Sequence, residues 1–246
     1  MPTGAGQAII QPRKGKREEA LPSLAVLLFT PQDIELFLRH FPLLSKWPYR
    51  IYLSEVFVMS PQSAPLALVG PMLGAPQAVL VLEKLIALGV TEVMAVGWCG
   101  SLQPGVRIGD LVLPSGAFSE EGTSPHYPVE NPQPGPSRKL LDALREALPG
   151  GTMRVHEGPV WSTDAPFRET VTKVLSYQQA GVLAVDMETS ALFTVASFRD
   201  IDMAVALVVS DDLSSLRWVH GFKERAFIRT REELAKSILK AVSSQG

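Results

Sequence analysis

Four polar clusters, each set directly after an apolar run, hold the residues of this chain that could do chemistry: Gly97–Gly100, Thr163–Glu169, Asp186–Glu188 and Ser210–Asp212. In Val185-Asp186-Met187-Glu188-Thr189 a carboxylate at a strand-to-helix junction can accept two hydrogen bonds from vicinal hydroxyls, as on a ribose. Equally, Asp186 can cap the helix while Glu188 favours its positive end. In Val209-Ser210-Asp211-Asp212-Leu213, Asp211 emerges from the strongly apolar run Met203–Val209. Partial burial there would keep a proton available for donation, while two adjacent aspartates also suit a turn or a helix cap. In Gly97-Trp98-Cys99-Gly100 the glycines let a backbone approach a ligand closely, and Trp98 could stack on a base. The simpler expectation for that run is a tight turn.

These clusters need a scaffold, and the chain alternates apolar runs with amphipathic stretches. Strands are predicted at Ala25–Phe29, Leu66–Gly70, Glu92–Gly97, Asp110–Pro114, Val155–Trp161, Val182–Val185 and Ala204–Val209. Helices are predicted at Asp33–His40, Pro76–Leu88 (ended by Gly89), Ser137–Leu148, Met187–Phe198 and Glu224–Val242. Strand-then-helix alternation implies an α/β fold with a largely parallel or mixed sheet covered on both faces. Ligands bind at the carboxyl ends of such strands, where the four clusters fall. The Gly-, Pro- and Ser-rich Glu120–Pro136 reads as a long loop, and loops of this length inside a compact domain often carry function. Its His126 and Tyr127 could meet the 5′ end of a sugar or form a surface turn.

Composition bounds the function classes. The chain has 246 residues, enough for one substantial α/β domain, and residues 1–22 read as a flexible leader before a domain at 23–246. A net charge of −2 gives no general attraction to nucleic acid or membranes. No apolar run is long enough to span a bilayer. One cysteine rules out an internal disulfide and fits the cytoplasm. The four histidines are scattered and suggest no metal site and no cofactor. A G-x-G-x-x-G run opening a helix after a strand is missing, which argues against a dinucleotide-binding protein.

Taken in order, GWCGSLQPGVRIG (Gly97–Gly109), DLVLPSG, EEGTSPHY, WSTDAPFRET, AVDMETSALFTVA and VVSDDL resemble the purine nucleoside/uridine phosphorylase superfamily and its related nucleosidases. The resemblance covers roughly residues 24–243. It implies a single-domain nucleoside phosphorylase-like fold, a central mixed barrel-like sheet flanked by helices. It implies an enzyme, a glycosyltransferase of nucleoside metabolism, with a small-molecule nucleoside as partner. It also implies a homo-oligomer, dimer-based and up to hexameric, in which a neighbour contributes residues to each site. Glu188 would bind the ribose hydroxyls with Met187 packed on the sugar, Asp211 would protonate or hydrogen-bond N7 of a purine base, and Phe167 would line the pocket. Gly100 and Trp98 belong to the glycine segment beside it, and Arg168 lies close to a base-reading position.

The same resemblance exposes gaps on the nucleophile side. Phosphate as co-substrate needs arginines or a ring of backbone N–H groups. The family's arginine-bearing loop after the first strand is Phe29-Thr30-Pro31-Gln32-Asp33-Ile34 here, without arginine. The arginine expected before the glycine turn is Ala95, and Trp98 replaces a small hydroxyl residue. The expectation is therefore a degenerate phosphate site, with Arg50 from a neighbouring subunit as the remaining phosphate ligand. Asp33 offers an alternative as the base that activates water in a nucleosidase, or else it caps a helix. A non-catalytic nucleoside-binding protein is the further alternative. Thr170 and Thr172 stand near positions where uridine phosphorylases read uracil with Gln and Arg; with Asp211 present, a purine-like base is favoured.

Overall fold

The computed structural model describes residues 8–40, 43–47, 50–59, 65–131, 133–149 and 153–243. Strand β1 (Leu24–Leu28) shows why a sheet forms in the middle of the molecule. Its successive side chains point to opposite faces, and both faces are apolar. Ala25 and Leu27 join one core and Val26 and Leu28 the other. A strand buried on both sides must have helices on both sides. Helices α2 (Gly74–Ala87) and α5 (Thr189–Arg199) cover the first face. Helices α1 (Pro31–His40), α3 (Arg138–Ala147) and α6 (Arg225–Ser243) cover the second.

The remaining strands are β2 (Leu43–Lys46), β3 (Glu55–Met59), β4 (Leu66–Gly70), β5 (Glu92–Ser101), β6 (Leu111–Glu120), β7 (Val155–Thr163), β8 (Ala184–Asp186), β9 (Asp202–Asp212) and β10 (Val219–His220). The sheet runs β10-β9-β6-β7-β8-β5-β1-β4-β3-β2, and β9 also pairs with β5. That extra pairing closes β9, β6, β7, β8 and β5 into a mixed five-stranded barrel. β1, β4, β3 and β2 extend from it as an open wing. The expected single-domain fold with a barrel-like mixed sheet is the one observed.

Several elements differ from the sequence reading. Gly97–Gly100 is not a turn: β5 continues through it to Ser101, paired along β9. The glycines answer a tertiary need. A Cβ on Gly97 would lie 2.4 Å from the Phe29 ring, and one on Gly100 would lie 2.6 Å from Leu213. Strands β2, β3 and β10 and helix α4 (Val171–Gln179) were not anticipated.

Of the predicted leader, residues 1–7 lie outside the described residues. Further along, Lys84 of α2 donates to the Arg13 carbonyl at 2.7 Å and pairs with Glu18 at 2.5 Å. Leu21 is buried, and its N–H donates to the Leu88 carbonyl. Among the described residues no helix is long and apolar enough to cross a membrane, and no cluster of three or more His, Cys, Asp or Glu could hold a metal ion.

Candidate active site

The carboxyl ends of β1, β5, β8 and β9 converge on a cavity of about 570 Å³. Register explains how Asp211 reaches it. Along β5 and β9 the pairing runs regularly to Cys99↔Val209 and then jumps to Gly100↔Asp211, so Ser210 is an extra residue in β9. Such a bulge re-aims the side chains that follow it. Asp211 lines the cavity with both oxygens engaged: Oδ1 accepts from Ser210 Oγ at 2.6 Å and Oδ2 from Trp218 Nε1 at 2.9 Å.

Glu188 comes from the loop between β8 and α5, and Asp186 builds that loop. Asp186 Oδ2 accepts from the Thr189 N–H at 2.8 Å, the Thr189 hydroxyl at 2.6 Å and the Glu188 N–H at 3.2 Å. Its Oδ1 accepts from Ser162 Oγ at 2.5 Å. Asp186 thus satisfies donors at the start of α5, the capping role considered for it. That leaves Glu188 to project into the cavity, buried, with Oε1 accepting from the Gly74 N–H at 2.6 Å. Burial and the charge of Asp186 push its carboxyl up to about 8. A carboxyl so placed is the one most relieved by hydroxyl donors from a ligand.

Of the predicted residues, Asp211, Glu188, Met187, Phe167, Gly100 and Trp98 line this one cavity. Phe167 is fully exposed at its rim. Trp98 turns its edge to Phe227, with ring centroids 5.0 Å apart, and Arg231 lies over its ring at 5.0 Å. Asp33, Arg50, His126 and Arg168 do not line the cavity. Asp33 is buried in α1, where Oδ1 accepts from Arg231 at 2.7 Å and Oδ2 from the Thr30 hydroxyl at 2.8 Å. Arg50 is exposed and pairs with Glu55 at 3.0 Å. His126 ends a 3-10 turn at Ser124–His126, exposed, and Arg168 is exposed at the end of another at Pro166–Arg168.

The structure adds residues to which the sequence gave no role. Glu169 lines the cavity, and burial together with the charge of Asp211 pushes it up to about 7. Trp218 and Phe222 also line it, brought there by the chain that returns after β9. A clue was present in the aromatic residues that crowd the ten positions after Asp212. The described lining holds four carboxylates, Glu169, Asp186, Glu188 and Asp211, and neither lysine nor arginine.

A profile described as the phosphorylase superfamily matches residues 23–244. The chain belongs to that superfamily. It is 31% identical over 141 residues to a guanosine phosphorylase of Halorubrum lacusprofundi, covering 57% of this chain and 58% of that protein. It is 30% identical over 149 residues to a DeoD-type purine nucleoside phosphorylase of Bacillus cereus, covering 58% and 62%. The matched region therefore spans less than two thirds of these relatives' length. In three dimensions it is similar to a uridine phosphorylase from Vibrio fischeri, with a TM-score of 0.79 at 22% identity over 94% of this chain and 99% of that one. It is also similar to a purine nucleoside phosphorylase from Toxoplasma gondii in complex with immucillin-H, with a TM-score of 0.82 at 20% identity over 97% and 98%. For the phosphorylase superfamily member described here, these likenesses at low identity establish the fold.

Proposed function

We propose that this protein is an enzyme that cleaves the N-glycosidic bond of a purine-like nucleoside. The observation that carries the reading is the convergence of Glu188 and Asp211, with Met187 and Phe167, on one cavity. Cleavage proceeds through an oxocarbenium-like sugar and a base that gains negative charge. Glu188 takes the ribose hydroxyls, and Asp211 lies on the side of the departing base. The relatives named guanosine and purine nucleoside phosphorylase support a purine over uracil.

In this reading phosphate is the co-substrate of a glycosyltransferase, held by a degenerate site. A cation for it must come from outside the described lining, and Arg50 of a neighbouring copy fills that role. A homo-oligomer built from dimers agrees with the bare aromatic rim, where Phe167 is fully exposed and Trp218 is 64% exposed. We place the enzyme in the cytoplasm, in keeping with its single cysteine. Hydrolysis is the second reading, favoured by the lack of lysine or arginine in the lining among the described residues.

The test incubates the purified protein with guanosine, inosine and adenosine, with and without phosphate, and resolves base and sugar products. Phosphate-stimulated base release with ribose 1-phosphate supports phosphorolysis. Equal rates with free ribose establish hydrolysis. No base release from any purine nucleoside overturns the reading.

A further inference from the structure

Two acidic residues of the cavity lining, Asp211 and Glu169, have opposite surroundings. Asp211, at the end of β9, receives a hydroxyl on one oxygen and an indole N–H on the other. Donors aimed at both oxygens hold it as an acceptor. Glu169, between the 3-10 turn and α4, has no hydrogen bond or ion pair to its side chain among the described residues, although the residue lines the same cavity. When two carboxyls share a site, a proton settles on the one with fewer donors. We propose that Glu169, rather than Asp211, is the general acid that protonates the departing base, with Asp211 as the anchored acceptor beside it. This rests on the glycosidic reading above and names the proton donor within it.

The charges around Glu169 agree. Burial and the negative charge of Asp211 raise its carboxyl to about 7, and Lys173 of α4 pulls the other way. Lys173 is itself engaged by Glu120 at the end of β6, which blunts that pull. A carboxyl raised toward neutrality in this way suits a general acid.

In the step itself the bond between C1′ and N9 breaks and its electron pair moves into the purine. The Glu169 O–H proton passes to N7, leaving a neutral base and a Glu169 carboxylate. An oxygen of phosphate, or of water in the hydrolytic reading, forms the new bond to C1′. With phosphate the product is ribose 1-phosphate; with water the extra proton goes to solvent. Glu169 recovers its proton from solvent through the cavity mouth.

The test compares guanosine with 7-methylguanosine, whose N7 is already alkylated and needs no proton. Wild type and Glu169→Gln are assayed for kcat/KM from pH 5 to 9, with thermal unfolding to show that both are folded. For wild type and guanosine, kcat/KM should fall as pH rises through about 7. Glu169→Gln should lower guanosine kcat/KM about 10²–10⁴-fold, lose that alkaline limb, and largely retain 7-methylguanosine cleavage. Asp211→Asn should move the alkaline limb to lower pH, because it removes a charge that helps Glu169 keep its proton. Glu169→Gln that keeps full guanosine turnover, or loses both substrates in equal proportion, overturns the assignment. A wild type that cleaves neither nucleoside overturns the glycosidic reading and the assignment with it.

Discussion

Replacing Arg231 by methionine should destabilise the fold by about 3–5 kcal/mol. The guanidinium reaches Asp33 Oδ1 through both Nε and a terminal nitrogen at 2.7 Å, with side-chain exposures of 13% for Arg231 and 2% for Asp33. The other Asp33 oxygen accepts from the Thr30 hydroxyl, which in turn accepts from the Asp33 N–H at 3.1 Å. Removing the guanidinium leaves a buried carboxylate supported by one hydroxyl. Methionine also gives up the guanidinium's place over the Trp98 and Phe227 rings, at 5.0 and 5.3 Å, so the single variant loses both the ion pair and these contacts. At about 2–4 °C per kcal/mol for a chain of this size, the melting temperature should drop by roughly 6–20 °C in calorimetry. The double variant Asp33→Asn with Arg231→Met strands no charge and should recover most of that loss. A single variant within about 1 kcal/mol of wild type, or a double variant no better than the single, would refute the account.

Three further perturbations probe other parts of the structure. Gly97→Ala places a methyl 2.4 Å from the buried Phe29 ring and should lower the urea midpoint by the equivalent of about 1–3 kcal/mol at unchanged m-value. Glu188 has a folded-state value of about 8, above the ordinary 4.5, so its protonated form is favoured by folding. Stability from this group is therefore full below about 4.5 and lost as pH rises through about 8; Glu188→Gln should gain on wild type between pH 5 and 8.5, while weakening nucleoside binding. Burial raises the Cys99 thiol well above its usual range, so the native protein should resist a charged aromatic disulfide reagent at pH 8 and react with one equivalent once unfolded.

What the sequence revealed followed from local pattern. The strands with apolar faces on both sides, and the carboxylates just beyond their ends, were legible because periodicity and position suffice to find them. The strand role of Gly97 and Gly100 is not legible locally because its cause lies in Phe29 and Leu213, distant in sequence and close only after folding. Helix α4 escaped notice because Val174 is its one buried residue, too little apolar face to print a 3.6-residue period. Glu169 could not be singled out because what distinguishes it is a missing partner and a charge 42 positions away at Asp211. The ion pair of Asp33 with Arg231 of the last helix was not legible either, because its partner stands 198 positions away.

The electrostatics of the cavity also set terms for the nucleophile. Unit charges about 5 Å apart at an effective dielectric constant of about 20 repel by roughly 3 kcal/mol per pair. A phosphate dianion entering beside Glu169, Asp186, Glu188 and Asp211 meets that cost repeatedly, with no lysine or arginine among the described lining residues to offset it. Protonating Glu169 and Glu188 removes two of those charges, and both carboxyls titrate close to neutrality, at about 7 and about 8. If phosphate is the nucleophile, its KM should therefore climb steeply between pH 7.5 and 9. Over that interval phosphate is already mostly dianionic, so the change reports the cavity. A phosphate KM that stays flat would show that cations from a neighbouring copy dominate the field at C1′. A rate independent of phosphate at every pH would assign the attack to water, the nucleophile that an anionic cavity does not repel.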